Sequence, residues 1–262
     1  MTDPFSVHLA AFIDCYQRYA PQAQGNAWNM ALKRDHCLRV LDEARLITAS
    51  LGPGDGLDPE LERLIHVAAL FHDVGRFPQL VRWGTFNDRK SANHGALGVR
   101  AMRDCGLLEG LGPQQARLVR VAVAMHNRRD IPSGLPRAMD LALRVLRDAD
   151  KLDIMPVLLA HFRAGAGNDV VMLGLVRDDA AYTPALLEQL RQGRIADYER
   201  MRFVNDFKLL LLSWVYDMNF AVSRRAFWER GYLRELIDAL PDLPPFEGLF
   251  HKLRGFLGQD QD

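Results

Sequence analysis

The chain has 262 residues, 48% hydrophobic and 25% charged, an ordinary globular composition with enough apolar material for a full core. Its 33 Lys and Arg balance 33 Asp and Glu, so the net charge of zero gives no electrostatic case for nucleic acid or an anionic membrane as the main partner. Cys15, Cys37 and Cys105 are odd in number and form no Cys-x-x-Cys, which argues against a disulfide framework or zinc ribbon and suits a cytoplasmic location.

Helical spacing dominates the apolar pattern, and strand-like alternation is scarce, so the expected class is all-α. The Met-Thr-Asp-Pro start, with no basic segment leading into a long apolar run, predicts no signal peptide. A first helix is expected over Phe5–Tyr19 and a second from about Trp28 to Ser50, with Leu32, Val40 and Ile47 on one stripe. Gly52 to Gly56 reads as a loop. Asp58-Pro59 has the form of an N-cap followed by proline at the first helical position, opening a helix through Phe71 that Gly75 and Pro78 end. Pro78 to Lys90 lacks a period and reads as a functional or covering loop. Ser91 is the expected cap of a helix through Met102, and Gly112-Pro113 starts another. After a loop over Ile131–Pro136, a helix is expected from Ala138 to about Asp153. Gly165 to Asp169 is a weak boundary, and Val170 to Leu175 reads as a short extended piece. Thr183-Pro184 repeats the cap-plus-proline start, and the chain from Pro184 to about Leu240 reads as helical. The strongest apolar stretch, Leu209 to Val215, is too short to cross a bilayer. The aromatics Phe203, Phe207, Trp214, Phe220, Phe227 and Trp228 recur at helical spacing, which suits a core or a homodimer face. With no repeat and no firm boundary, the expectation is one domain over 1–262, with its core at about 28–153 and a helical extension at about 170–262.

Certain polar residues fall where helices point core side chains. His72 continues the stripe of Leu61, Ile65 and Ala68; His36 sits between Leu32 and Val40; His126 completes Val119, Ala122 and Val123; Asp150 completes Leu143 and Leu146. One such histidine is ordinarily a satisfied core residue. Four on separate helices, with Asp73 beside His72, point to convergence on a divalent cation, because a buried carboxylate is costly unless paired or metal-bound. Mixed imidazole and carboxylate ligation suits Zn, Fe, Mn and similar ions.

His36, the adjacent His72-Asp73 and Asp150 resemble the H…HD…D signature of the HD superfamily of metal-dependent phosphohydrolases. The contexts Leu70-Phe71-His72-Asp73-Val74-Gly75-Arg76 and Arg147-Asp148-Ala149-Asp150-Lys151-Leu152-Asp153 resemble its His-Asp and closing segments, and the likeness covers about Trp28 to Asp153. It implies an HD-domain helical bundle holding one or two divalent ions (Mn, Fe, Zn, Ni, Co or Mg). The first ion would take His36, His72, Asp73 and Asp150. In two-metal members, two intervening histidines hold the second ion; here these are His94 and His126, with Asp73 bridging. The other arrangement leaves these two histidines to contact substrate phosphate beside a single ion. Further likeness to a set of bacterial HD proteins lies in Arg76-Phe77, in Gly84-Thr85-Phe86-Asn87-Asp88 and in Asp217-Met218-Asn219-Phe220. The Gly-Tyr-Pro signature of the cyclic-di-GMP-hydrolysing branch is absent, as are the additional domains of stringent-response and tRNA-modifying members.

The implied reaction is hydrolysis of a small phosphorylated substrate, a nucleotide or another phosphate ester, by metal-activated water. Asp73, His94 and His126 are the candidate catalytic residues, while Arg76 and Lys90 are candidates for gripping phosphate. Asp153, one turn beyond Asp150, is a candidate to orient a ligand histidine. Lys151 points about 100° away from Asp150 around the helix, and its default role is a salt bridge. The same ligand set also serves iron-dependent HD oxygenases, and a non-catalytic nucleotide-binding regulator would retain it as well.

Overall fold

The computed structural model describes residues 4–164 and 174–258, all-α apart from short turns and one isolated parallel bridge between Val176 and Phe203. No helix among the described residues is long and apolar enough to cross a membrane. The chain divides into two compact units, Met1–Asp153 and Ile154–Asp262.

The first unit holds α1 (Pro4–Tyr19), α2 (Ala27–Thr48), α3 (Pro59–Phe71), α4 (Arg76–Trp83), α5 (His94–Asp104), α6 (Pro113–Met125) and most of α7 (Arg137–Ala164). Helix α3 is its centre. The side chains from Ile65 to Phe71 are buried apart from the half-buried His66, and α2, α6 and α1 pack around them. The start of α3 is well specified: the Asp58 carboxylate accepts from the Leu61 amide at 2.8 Å, and Pro59 occupies the first turn, where no N–H is needed.

Three expectations need correction. Pro78 to Lys90 is not simply a loop, because Arg76–Trp83 is helical. Pro78 is its third residue, in the first turn, where its missing N–H removes no bond. The cap of α5 is Asn93, whose Oδ1 accepts from the Ala96 amide at 3.0 Å, and not Ser91. Helix α7 does not stop near Asp153; it continues to Ala164 with Pro156 inside it, its neighbouring turns outlasting the loss of one backbone bond.

The second unit contains the remainder of α7, then α8 (Pro184–Arg191), α9 (Val204–Ser213), α10 (Ala221–Glu229), α11 (Tyr232–Asp238) and α12 (Leu249–Leu257). Its helical stretch from Pro184 is thus four short helices up to Asp238 rather than a continuous run. Buried Asp206 ties α9 to the start of α8, its carboxylate accepting from the Thr183 amide (2.6 Å) and hydroxyl (2.8 Å). Phe207 and Phe227 are core, stacking edge-on with Phe162 and Tyr232. Of the expected extended piece, residues 170–173 lie outside the described residues.

Close backbone approach sets where α5 begins. A Cβ on Gly75 would lie 2.1 Å from the His94 carbonyl and 2.4 Å from the Gly98 amide nitrogen; one on Gly95 would lie 2.9 Å from the Ala124 carbonyl. These are backbone atoms, so no rotamer change relieves the clash. Gly75→Ala is expected to lose about 3 kcal/mol in urea unfolding, while Gly52→Ala, with open space at the same position, stays within about 0.5 kcal/mol.

Candidate metal centre

Six side chains from five helices or their ends meet inside the first unit. His36 lies in the middle of α2, His72 caps the C-terminus of α3 with Asp73 next in the following turn, His94 opens α5, His126 caps the C-terminus of α6, and Asp150 lies on α7. All are buried except Asp150, whose side chain is 33% exposed and marks the open side. In an uninterrupted helix, neighbouring residues diverge by about 100°. His72 and Asp73 reach one site because α3 ends between them.

Asp73 divides the site. Its Oδ2 lies 3.6 Å from His36 Nε2 and 3.8 Å from His72 Nε2; its Oδ1 lies 3.5 Å from His94 Nε2 and 3.8 Å from His126 Nε2. Asp150 Oδ1 joins the first group, 3.1 Å from His36 Nε2 and 3.7 Å from His72 Nε2. Within each pair the two Nε2 atoms are 3.1 Å apart.

The other ring nitrogens are all engaged, by two devices. The C-terminal turn of a helix leaves carbonyls without amide partners. The C-cap histidines use them: His72 Nδ1–H donates to the Ala69 carbonyl and His126 Nδ1–H to the Val123 carbonyl, both at 2.8 Å. His36 and His94 have no such carbonyl and use carboxylates instead. His36 Nδ1–H donates to Asp153 Oδ2 at 2.6 Å, and His94 Nδ1–H to Asp88 Oδ2 at 2.7 Å. A carbonyl or carboxylate can only accept, so each ring carries its proton on Nδ1 and turns an Nε2 lone pair inward.

Lone pairs facing each other at 3.1 Å repel unless a cation lies between them. Two nitrogens, each about 2.1 Å from one divalent ion and at right angles, would sit ~3 Å apart. The donor set therefore fits divalent metal: His36, His72 and Asp150 bring their ligand atoms together, His72, Asp73 and His126 form a second group that shares His72, and His94 Nε2 lies 3.1 Å from His126 Nε2.

Electrostatics agree for Asp73, His94 and His126, while His36 is shifted the other way by its carboxylate neighbours. Burial opposes ionisation of Asp73, but Lys33 and Arg76, with His72 and His94, hold its carboxyl well below the usual range. Burial pushes His126 down to about 3, helped by His94 and His72, and burial with the nearby Arg76 also lowers His94, so both rings stay neutral. Burial works against protonated His36 as well, yet the Asp150 and Asp153 carboxylates raise it.

Asp153 also accepts from Arg39 at 2.7 Å, fixing its carboxylate in the orienting position foreseen for it. Arg76, expected to be a phosphate grip, is largely engaged within the protein. Its Nη1 donates to Gln79 Oε1 (2.9 Å), the Phe86 carbonyl (2.6 Å) and Asp88 (3.0 Å), and its Nε to Asp73 Oδ1 (3.3 Å). Only Nη2 turns toward the histidines, 3.4 Å from His94 Nε2. Lys90 ends a short turn over Asp88–Lys90 with its side chain exposed. Lys151 is buried.

Sequence reasoning missed two participants. Lys33 is buried with Nζ 2.7 Å from Asp73 Oδ2; its position three residues before His36 was the available signal. Asp88 lies in the aperiodic segment, within Gly84-Thr85-Phe86-Asn87-Asp88. Gln79 donates to it at 2.8 Å, and Gln79 also holds Ser91 and the Ala92 carbonyl, so the loop is fixed beneath His94.

Residues 34–155 match the HD domain family model, a span that includes all six converging side chains. No significant match was found among curated proteins or solved structures. The fold, the ligand pattern and this match identify residues 34–155 as an HD domain, the domain of a superfamily of metal-dependent phosphohydrolases.

If Asp153 sets the His36 ring, Asp153→Asn should weaken divalent-metal binding about 10- to 100-fold in a competitive chelator titration, while an exposed change such as Asp42→Asn leaves it unaltered.

Proposed function

We propose that this chain is a phosphohydrolase that cleaves an ester of a small phosphorylated substrate, a nucleotide among the candidates, using two divalent ions. The observation that carries the reading is Asp73, whose two oxygens face different histidine pairs, each pair with converging lone pairs. His36, His72, Asp73 and Asp150 would hold one ion, and His94, His126 and Asp73 the other. When bound, such ions lower the pKa of water and neutralise charge on a phosphoryl oxygen.

The protein's own groups would do the rest. Buried carbonyl and carboxylate acceptors lock all four imidazoles in the ligand tautomer, so little reorganisation accompanies turnover. The Arg76 Nη2 lies beside His94 and could share a phosphoryl oxygen, while exposed Lys90 could meet a more distant anionic group of the substrate. The three cysteines are free thiols, in keeping with a reducing cytoplasm.

The purified protein, loaded in turn with Mn, Fe, Zn, Ni, Co and Mg, is expected to release phosphate from members of a panel of phosphomonoesters and nucleotides. Chelation should abolish turnover and re-addition restore it. Asp73→Asn should lower kcat/KM at least about 10³-fold, a loss of ~4 kcal/mol of transition-state stabilisation. No turnover across the panel at confirmed metal occupancy would refute the reading, as would turnover that consumes oxygen and stops anaerobically.

A further inference from the structure

Two cations face Asp73, and they differ in what else holds them. Lys33 Nζ lies 2.7 Å from Oδ2 and Arg76 Nε 3.3 Å from Oδ1, with Lys33 and Arg76 5.4 and 5.7 Å from the centre of the Phe86 ring. Arg76 has further acceptors in Gln79, the Phe86 carbonyl and Asp88, which keep it in place whatever Asp73 does. For Lys33, Asp73 is the one anionic partner among the described residues, and its side chain is only 10% exposed. The Oδ2 that it holds also faces His36 and His72.

We propose that Lys33 is the anion anchor of this site, an ammonium that rests on Asp73 until substrate arrives and then donates to a phosphoryl oxygen. The inference rests on the metal reading above. Four carboxylates, Asp73, Asp88, Asp150 and Asp153, face three cations, Lys33, Arg39 and Arg76, across the site and its immediate surroundings. Two divalent cations held by these residues would make the site net positive and would compete with Lys33 for the Asp73 carboxylate. A buried ammonium deprived of its carboxylate is unfavourable. A phosphate dianion supplies both the missing charge and an acceptor. Lysine suits such an exchange, since its ammonium is a point charge on a flexible stem, whereas the Arg76 fork is fixed by several acceptors. This assigns phosphate recognition first to a residue of α2 rather than to Arg76 or Lys90.

The test uses the full chain loaded with manganese and inorganic phosphate as the probe. Metal content is measured by elemental analysis and phosphate affinity by calorimetry, for the unaltered protein, Lys33→Met and Lys33→Arg. The expected result is equal metal content in all three, phosphate binding about 10- to 100-fold weaker in Lys33→Met, and partial recovery in Lys33→Arg. A crystal structure of the unaltered protein with manganese and phosphate should place Lys33 Nζ within hydrogen-bond distance of a phosphate oxygen, and it decides the matter if Lys33→Met does not fold. Unchanged phosphate affinity at equal metal content, or Nζ still on Asp73 in that complex, overturns the role of Lys33 alone. An unaltered protein that takes up no metal fells the metal reading and the anchor with it.

Discussion

A carboxylate buried at the end of α3 governs the first unit. Removing one partner from a buried ion pair typically costs about 3–5 kcal/mol, and Asp73 is only 3% exposed. The fold surrounds it with cationic and hydrogen-bonding groups from α2, α4, α5 and α6, and those groups are the ones the proposed chemistry uses. Close approach of these elements is therefore a requirement of charge as much as of packing. It accounts for glycine at 75 and 95, where a side chain would hold α5 away and carry His94 with it.

Orientation is the second level of control. A histidine in mid-helix, such as His36, or at a helix start, such as His94, has no spare C-terminal carbonyl nearby, and one at a C-cap does. The site contains both kinds, each solved by the means its position allows: i−3 carbonyls for His72 and His126, carboxylates for His36 and His94. These acceptors are themselves anchored, Asp153 by Arg39 and Asp88 by Gln79 and Arg76. The lone pairs thus face inward because of backbone ends and ion pairs that lie outside the cluster.

Much of this was legible in the residues. The helical stripes placed His36, His72, His126 and Asp150 on inward faces, because a period of 3.6 requires it. The α3 boundary was readable from Asp58-Pro59, since cap and proline act locally. What escaped notice was non-local. Lys33 shares a helix face with His36, but its partner Asp73 lies forty residues on and only the fold brings it alongside. Asp88 sits in an aperiodic segment whose conformation is dictated by Gln79 and Arg76 on a helix that Pro78 appeared to forbid. Proline breaks a helix in its interior but not in its first turn, and only tertiary structure decides which turn it occupies.

The exposure of Asp150 gives the site a direction. Most of the converging groups are sealed, whereas this carboxylate on α7 is one-third open. A ligand approaching from that side would meet imidazoles whose Nδ1 atoms are already engaged. Little inside is then free to respond to it. Arg76 is bound on several sides, and the imidazoles are held through Nδ1. Lys33 differs, since among the described residues its ammonium has Asp73 as its one carboxylate partner. A site built this way sets imidazoles held at two points beside a lysine held at one, so on the proposed reading metal retention and phosphate recognition would fall to different residues.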